Sequence, residues 1–286
     1  MPKSLMFIAA ALLAVSPAFA QDWAKAKLNQ SPRHQEWVTV QQGGRSVQCL
    51  VVYPEVKNKA PVVLIIHEIY GLSDWAANLA DEVAEAGYIA IEPDLLSGLG
   101  PKGGGTSEFP DQSAVTKAVG KLPAAQVTAD LNAVADYALQ FPSANGQLMV
   151  TGFCWGGGKS FQFATQRPGL KAAFVFYGVA PTAEAMAQIP CPVYGFYAEN
   201  DARISSSVPK TADLMKAAGK SYAPVVYAGA GHGFMRAGEA PAPTAPAADA
   251  DDAAKQKYQK DLAAYQANHK ARTDAWARWT DLLSHS

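Results

Sequence analysis

Three side chains that together could form a nucleophilic catalytic group occur along this chain in the order cysteine, aspartate, histidine. Cys154 lies between glycines in the segment GFCWGGG, directly after an apolar run. Asp201 follows a second apolar run in YAENDAR, and His232 follows a third in GAGHGF. A nucleophilic thiol is activated by an adjacent base that a third group orients. The order and the positions after apolar runs therefore predict a triad of Cys154, His232 and Asp201.

The segment around Cys154 matches G-x-C-x-G, a nucleophile elbow with cysteine in place of serine. In this sharp turn from a strand into a helix, residues larger than glycine beside the nucleophile would collide with the backbone. The helix that starts there directs its N-terminal amides toward the nucleophile, which favours a thiolate. Taken alone, the segment fits an inert buried cysteine equally well. A cap at Asp201 and a surface loop residue at His232 are the corresponding structural alternatives.

A fourth segment, HEIYG at residues 67–71, follows the apolar run APVVLII. In elbow enzymes the loop after this strand contributes one amide to the oxyanion hole, and the residue after the nucleophile contributes the other. This assigns the backbone N–H groups of Ile69 and Trp155. The segment is not HExxH, and no His/Cys/Asp cluster has metal-ligand spacing, so we expect no metal.

Apolar runs alternate with helical patterns along most of the chain. The runs typical of strands are SVQCLVVYP, APVVLIIHE, YIAIEPDL, QLMVTGF, KAAFVFYG, PVYGFYAEND and the first part of APVVYAGAGHGF. This alternation predicts an α/β fold with a doubly wound, mostly parallel sheet and functional loops at the carboxyl ends of its strands. The segment GLGPKGGGTSEFPD lacks the spacing of a phosphate-binding loop and is expected to be a flexible connection.

The two ends of the chain differ from this pattern. Residues 1–20 have the features of a signal peptide cleaved after Ala20, with an uncleaved anchor as the alternative, so we expect a secreted or periplasmic protein. We assign residues 21–236 to the α/β domain and residues 237–251 to an Ala/Pro-rich insertion. Residues 252–286 form a helical extension that is expected to pack on the same domain.

Composition limits the partners. The 286 residues are 49% hydrophobic and carry a formal net charge of −1, so the chain can bury a large core. A nearly neutral chain lacks the basic surface expected of a nucleic-acid-binding protein. The three cysteines are an odd number, so at least one thiol stays free or pairs outside the chain.

Four motifs together resemble the dienelactone hydrolase family of α/β-hydrolases. They are HEIYG, GFCWGG, the ENDxxI segment at residues 199–204 and HGFMR, and the resemblance covers roughly residues 38–236. It implies an α/β-hydrolase fold with Cys154 as nucleophile, His232 as general base and Asp201 as the acid that orients it. It also implies that Glu68 lies close to the thiol, where a carboxylate accepts the S–H proton or holds the thiol inert until substrate arrives. An ordinary loop salt bridge is the alternative for Glu68.

The resemblance also suggests how a substrate is held. Arg236 matches an arginine that in the family binds the substrate's carboxylate, and Tyr70 is a further candidate for substrate binding. A second family arginine is expected just after Pro93-Asp94-Leu95, where this chain has none. Lys102 is near that position but lacks the planar fork of a guanidinium. The natural substrate therefore need not be dienelactone itself.

Together these features predict a cysteine-dependent hydrolase that cleaves ester or lactone bonds through an acyl-enzyme and needs no cofactor. Its partner would be a small ester or lactone, which could be anionic, with no nucleic acid and no membrane after signal cleavage. A thioesterase or other acyl hydrolase with the same triad is one alternative, and a non-catalytic binding protein on a hydrolase scaffold is another. In such a sheet Cys49 and Cys191 are expected to lie too far apart for a disulfide.

Overall fold

The computed structural model describes residues 21–286, so the predicted signal peptide lies outside the described residues. The eight strands are β1 (Gln35–Gln42), β2 (Arg45–Val52), β3 (Ala60–Ile66), β4 (Ile89–Pro93), β5 (Ala144–Phe153), β6 (Leu170–Phe176), β7 (Val193–Ala198) and β8 (Tyr222–Tyr227). They form one sheet in the order β1-β2-β4-β3-β5-β6-β7-β8. The pairs β1–β2 and β2–β4 are antiparallel and all others are parallel. The predicted α/β-hydrolase sheet is confirmed.

Helices cover both faces of this sheet. They are α1 (Asp22–Asn29), α2 (Asp74–Glu85), α3 (Gln112–Gly120), α4 (Ala124–Leu139), α5 (Trp155–Ala164), α6 (Ala183–Met186), α7 (Ala202–Ser205), α8 (Val208–Ala217), α9 (Phe234–Ala237) and α10 (Asp252–Ser284). Within the described residues, none of them has the length and hydropathy required to cross a bilayer.

The strand β3 shows how the core is divided. All its residues after the first two are fully buried, because both faces of a parallel sheet are covered. Val62, Leu64 and Ile66 contribute to a core on the side of α3, α4, α5 and α8. Val63 and Ile65 contribute to a second core on the side of α1, α2, α9 and α10. This two-sided burial explains why the run APVVLII is continuously apolar rather than alternating.

The helix α10 is packed against the centre of the second core. Trp279 is completely buried, and its ring lies 5.2 Å from that of Phe176 and 5.9 Å from that of Phe153, between centroids. Phe153 is the last residue of β5 and directly precedes Cys154. The C-terminal helix thus supports the end of the strand that carries the proposed nucleophile.

The glycine-rich segment after β4 differs from its prediction. Thr106 is buried, and its backbone N–H and hydroxyl donate to the two carboxylate oxygens of Asp94 at 2.7 and 2.8 Å. Glu108 accepts from the N–H groups of Lys102 and Gly104. The prediction of a flexible connection is wrong for this part, because two carboxylates bind its backbone amides.

The cysteines are far from one another in the sheet. Cys49 is in β2 and Cys191 precedes β7, and four strands separate β2 from β7. Five spacings of about 4.8 Å place these strands roughly 24 Å apart, whereas a disulfide requires Cα atoms within about 7 Å. All three cysteines are free among the described residues, and the two buried ones lie too far apart to pair, as predicted.

Candidate active site

Cys154 lies at the junction between β5 and α5 in a conformation that few side chains adopt. Its φ of 56° and ψ of −116° lie outside the regions favoured by non-glycine residues. The backbone N–H of Cys154 donates to the carbonyl of Phe176 at 3.0 Å, which ties the turn to the neighbouring strand β6. Strained residues of this kind persist only where the surroundings enforce them, and they cluster at functional sites.

The glycines on either side explain how so tight a turn is built. A Cβ atom on Gly152 would lie 2.0 Å from the carbonyl oxygen of Gly156, and one on Gly156 would lie 2.2 Å from that of Ile66. At Gly158 the same atom would lie 3.0 Å from the Val179 side chain and 3.6 Å from the Val179 backbone N and O, so its one tight contact is with a side chain. The elbow therefore requires glycine at positions 152 and 156 because backbone segments touch there.

His232 and Asp201 meet beside this elbow. Asp201 follows β7 and is 7% exposed, and His232 lies in the loop between β8 and α9. Asp201 Oδ2 lies 2.5 Å from His232 Nδ1. The side chain of Cys154 is close enough to the imidazole to raise its pKa. Cys154 and His232 are 78 positions apart in the sequence, and with Asp201 they form one group in the structure.

The environment of His232 favours its charged form. Burial lowers the pKa of the imidazole, but its interactions with Cys154 and with the Asp201 carboxylate more than offset this. The result is a His232 pKa of about 9. The ring is therefore protonated at neutral pH, which is the state that stabilises an adjacent thiolate.

Glu68 is held by two other side chains. It is 3% exposed, with Oε2 accepting from Arg236 Nε at 3.0 Å and Oε1 accepting from the hydroxyl of Tyr177 at 3.3 Å. The Arg236 guanidinium also lies 5.1 Å from the centre of the Tyr70 ring. No hydrogen bond joins Glu68 to Cys154 within residues 21–286. This geometry favours His232, rather than Glu68, as the group that takes the thiol proton.

Tyr177 connects these two groups and was missed by the sequence analysis. Its ring lies 4.9 Å from that of His232, edge to face, while its hydroxyl donates to Glu68. Burial, together with the charge of Glu68, raises the pKa of Tyr177 well above its ordinary value, so the phenol stays a neutral donor. Its positive φ of 40° is the second such value at a non-glycine residue near the site. That conformation is not readable from the sequence.

The two predicted oxyanion donors lie beside the thiol. Ile69, Cys154 and Trp155 line the same cleft. Trp155 is the first residue of α5, so its N–H has no partner within the helix. Neither its N–H nor that of Ile69 donates a hydrogen bond in the described part of the chain. Both N–H groups therefore lack a protein acceptor within residues 21–286, as the donors of an oxyanion hole must.

His67 fixes the loop that presents Ile69. Its Nδ1–H donates to the Glu68 carbonyl at 2.7 Å, and Nε2 accepts from the Leu95 N–H at 3.4 Å. Its ring stacks on that of Trp155 with centroids 5.7 Å apart. Burial lowers the pKa of His67, so the neutral ring can donate and accept at once. Both ring nitrogens of His67 thus hold the loop that carries Ile69 in place.

The cleft beside Cys154 has a volume of about 1070 Å³ and a largely apolar lining from α4, α5 and the loop after β6. Two cationic side chains line it, Lys159 and Arg203, and neither was selected from the sequence. Arg236 and Tyr70, the predicted substrate-binding residues, do not line it. Lys159 is five positions after Cys154, and Arg203 is two positions after Asp201. This closeness in sequence to the predicted triad could have identified both cations.

No group of three or more histidine, cysteine or acidic side chains suited to hold a metal ion occurs between residues 21 and 286.

Comparison with known proteins adds to this geometry. Residues 47–286 match the sequence profile of the dienelactone hydrolase family. A Salmonella typhi protein assigned as a carboxymethylenebutenolidase is 34% identical over 186 residues, covering 61% of this chain and 67% of that protein. A Methylorubrum extorquens protein with the same assignment is 30% identical over 234 residues, covering 78% and 79%. The crystal structure of a Klebsiella pneumoniae protein assigned as a dienelactone hydrolase is 27% identical, with a TM-score of 0.64 over 82% of this chain and 98% of that one.

Proposed function

The chain belongs to the dienelactone hydrolase family and is an ester or lactone hydrolase, and from this premise we propose that Cys154 is its nucleophile. The observation that carries the proposal is the connected group of Asp201, His232 and Cys154 at the strained elbow. Each member alone has a structural explanation. Their convergence beside two unpaired amides and an apolar cleft is the arrangement that acyl transfer requires.

The first half of the reaction forms a thioester. The Cys154 thiolate attacks the substrate carbonyl carbon, so a C–S bond forms while the carbonyl electrons move to the oxygen. The N–H groups of Ile69 and Trp155 stabilise this oxyanion. When the intermediate collapses, the C–O bond breaks, and His232 Nε2 gives its proton to the leaving alkoxide. A lactone would keep that alcohol tethered to the acyl group.

The second half releases the acid. His232, now neutral, removes a proton from water as the oxygen attacks the thioester carbonyl. Collapse breaks the C–S bond, and the thiolate returns beside a protonated imidazole. Asp201 holds Nδ1 throughout, which keeps Nε2 directed at the reacting atoms.

Glu68 and Arg236 support this centre through their own ion pair. The buried side chain of Glu68 contacts both Arg236 and Tyr177, so it connects the loop after β3 with α9 and with the loop after β6. Substrate carboxylate binding by Arg236 would require the guanidinium to share or leave Glu68. We retain that role for Arg236, with Tyr70 against its guanidinium, as part of the proposal.

Export through the signal-like residues 1–20 is also proposed on their sequence pattern. Amino-terminal sequencing of the protein from cell fractions tests it. A mature chain beginning at Gln21 outside the cytoplasm is expected, and a full-length cytoplasmic chain would contradict it.

A substrate panel tests the proposed chemistry. An aryl ester, a five-membered enol lactone and an acyl thioester of equal acyl size are offered to the wild type and to Cys154→Ala. We expect turnover of the ester and the lactone by the wild type and background rates from the variant. Preference for the thioester would reassign the substrate class, and equal rates from both proteins would remove Cys154 from the mechanism.

A further inference from the structure

The cleft beside Cys154 carries an unbalanced positive charge. Of the side chains that line it, Lys159 and Arg203 are cationic and none is acidic. Neither cation forms an ion pair with a carboxylate in the part of the chain that the structure describes. By contrast, Arg45, Arg236 and Arg272, which like Lys159 are at least partly covered by protein, each pair with an aspartate or glutamate.

Lys159 is positioned by the same helix that begins at the nucleophile. Its ammonium lies 5.1 Å from the centre of the Trp155 ring, a cation–π contact with the residue after Cys154. The side chain is half-buried, and burial lowers the pKa of its ammonium. Burial removes part of the water around this ammonium, and no carboxylate of the described residues replaces it. An anionic ligand would therefore be stabilised beside Lys159.

Arg203 brings a second cation to the cleft from another element. It lies in α7, two residues after Asp201, and its side chain is exposed. A guanidinium can bind a carboxylate through two parallel N–H donors. The two cations therefore approach one cleft from the helix that follows the nucleophile and from the turn that follows the acid.

The surroundings of the cations limit the ligand. Ala124, Val127 and Leu131 from α4 and Ala180 give the cleft an apolar wall. Lys159 is five positions after Cys154, which corresponds to roughly 7.5 Å along the axis of α5. A ligand that reaches from the thiol to the cations across this wall would combine a carbonyl, an apolar spacer of a few methylene groups and an anion.

We propose that Lys159 and Arg203 form a carboxylate subsite, distinct from Arg236, that selects esters or lactones whose acyl chain ends in a second carboxylate. This inference rests on the proposed function, since the scissile carbonyl must lie at Cys154. The two cations act on substrate binding and specificity, and the bond-breaking steps belong to the triad.

A matched substrate pair tests the subsite. p-Nitrophenyl hydrogen adipate ends in a carboxylate, whereas p-nitrophenyl hexanoate has the same number of acyl carbons and ends in a methyl group. We expect the wild type to prefer the adipate ester. The ratio of kcat/KM for the two esters should fall roughly fivefold to tenfold in Lys159→Gln and in Arg203→Gln, mainly through KM for the adipate. Lys171→Gln is the control. Lys171 is exposed near the start of β6, whereas the cleft lies at the end of this strand, so the variant should leave the ratio unchanged.

A binding measurement keeps this test independent of turnover. Adipate binding to Cys154→Ala, followed by the fluorescence change of Trp155 or by calorimetry, should weaken by a similar factor when either cation is replaced. An unchanged kcat/KM ratio together with unchanged adipate binding would overturn the subsite. Loss of turnover of both esters in the wild type, with adipate binding still dependent on the cations, would instead contradict the proposed function alone.

Discussion

The carboxylate of Asp201 lies 2.5 Å from Nδ1 of His232, so this edge of the imidazole is held and Nε2, on the other edge, is left free for Cys154. Asp201 follows one parallel strand and His232 follows the next. Because carboxyl ends of neighbouring parallel strands meet at one edge of the sheet, the contact follows directly from the topology.

Replacing Asp201 tests this relationship. Asp201→Asn keeps the size of the side chain but removes the charge that orients and stabilises the imidazolium. We expect kcat/KM to fall by about two to four orders of magnitude, as for similar changes in other triads. Steady-state kinetics on an aryl ester measure the effect. Asp213→Asn, an exposed carboxylate on α8, is the matched control, and an equal loss in both variants would contradict the orienting role.

The raised pKa of His232 predicts a limit on the alkaline side. The imidazole keeps its proton up to a pH of about 9, so both the partner of the thiolate and the acid for the leaving group are present below this value and are lost above it. The pH profile of kcat/KM should therefore fall as pH rises through about 9. In Asp201→Asn the falling limb should move to lower pH. Activity that continues to rise above pH 10 would contradict a protonated His232 in the active form.

The elbow glycines predict a contrast between two similar substitutions. Gly156→Ala would place a Cβ atom 2.2 Å from the Ile66 carbonyl, and this backbone contact cannot be relieved without moving β3 or α5. We expect a loss of about 3 kcal/mol in the free energy of unfolding, or more, and of nearly all activity. In Gly158→Ala the one tight contact of the new methyl group is with the side chain of Val179, which can shift, so the loss should stay within about 1 kcal/mol. Urea denaturation measures both, and equal effects would contradict the close approach at position 156.

The packing of α10 predicts that the C-terminal helix is required for stability. Trp279→Ala would empty a site that is completely enclosed among Phe153, Phe174 and Phe176, at a cost of about 3–5 kcal/mol. Trp279→Phe should cost much less, because it keeps an aromatic ring and removes an indole N–H that finds no acceptor among the described residues. Thermal and urea unfolding of the two variants provide the comparison. A Trp279→Ala protein as stable as the wild type would contradict this role of the Trp279 side chain in anchoring the helix.

Local signals were sufficient for much of the fold and for the core of the site. Continuous apolar runs identified the central strands because these are buried on both faces, and the strained turn at Cys154 was visible in its glycines. The edge strand β1, QEWVTVQQ, escaped because it is polar and half-exposed. Helices α1 and α3 were missed as well, since short segments with few buried residues carry little periodicity.

Contacts that depend on distant parts of the chain could not be predicted in the same way. The Glu68–Arg236 pair joins residues 168 positions apart, and only the folded structure shows that the two side chains bind each other. The same holds for Lys159 and Arg203, whose shared cleft depends on how α5 and α7 are placed. The family match to residue 286 also extends beyond the resemblance read from the motifs, and it includes α10, whose 33 residues contain few buried side chains.

The most direct test of the account is to locate the acyl group during turnover. The wild type is mixed with an aryl ester of a hindered acid, which slows release of the acyl group, and the reaction is quenched with acid and analysed by peptide mass spectrometry. The account predicts an acyl adduct on the peptide that contains Cys154, and none on Cys154→Ala. Continued ester turnover with an unmodified Cys154, at a rate that Cys154→Ala matches, would contradict it.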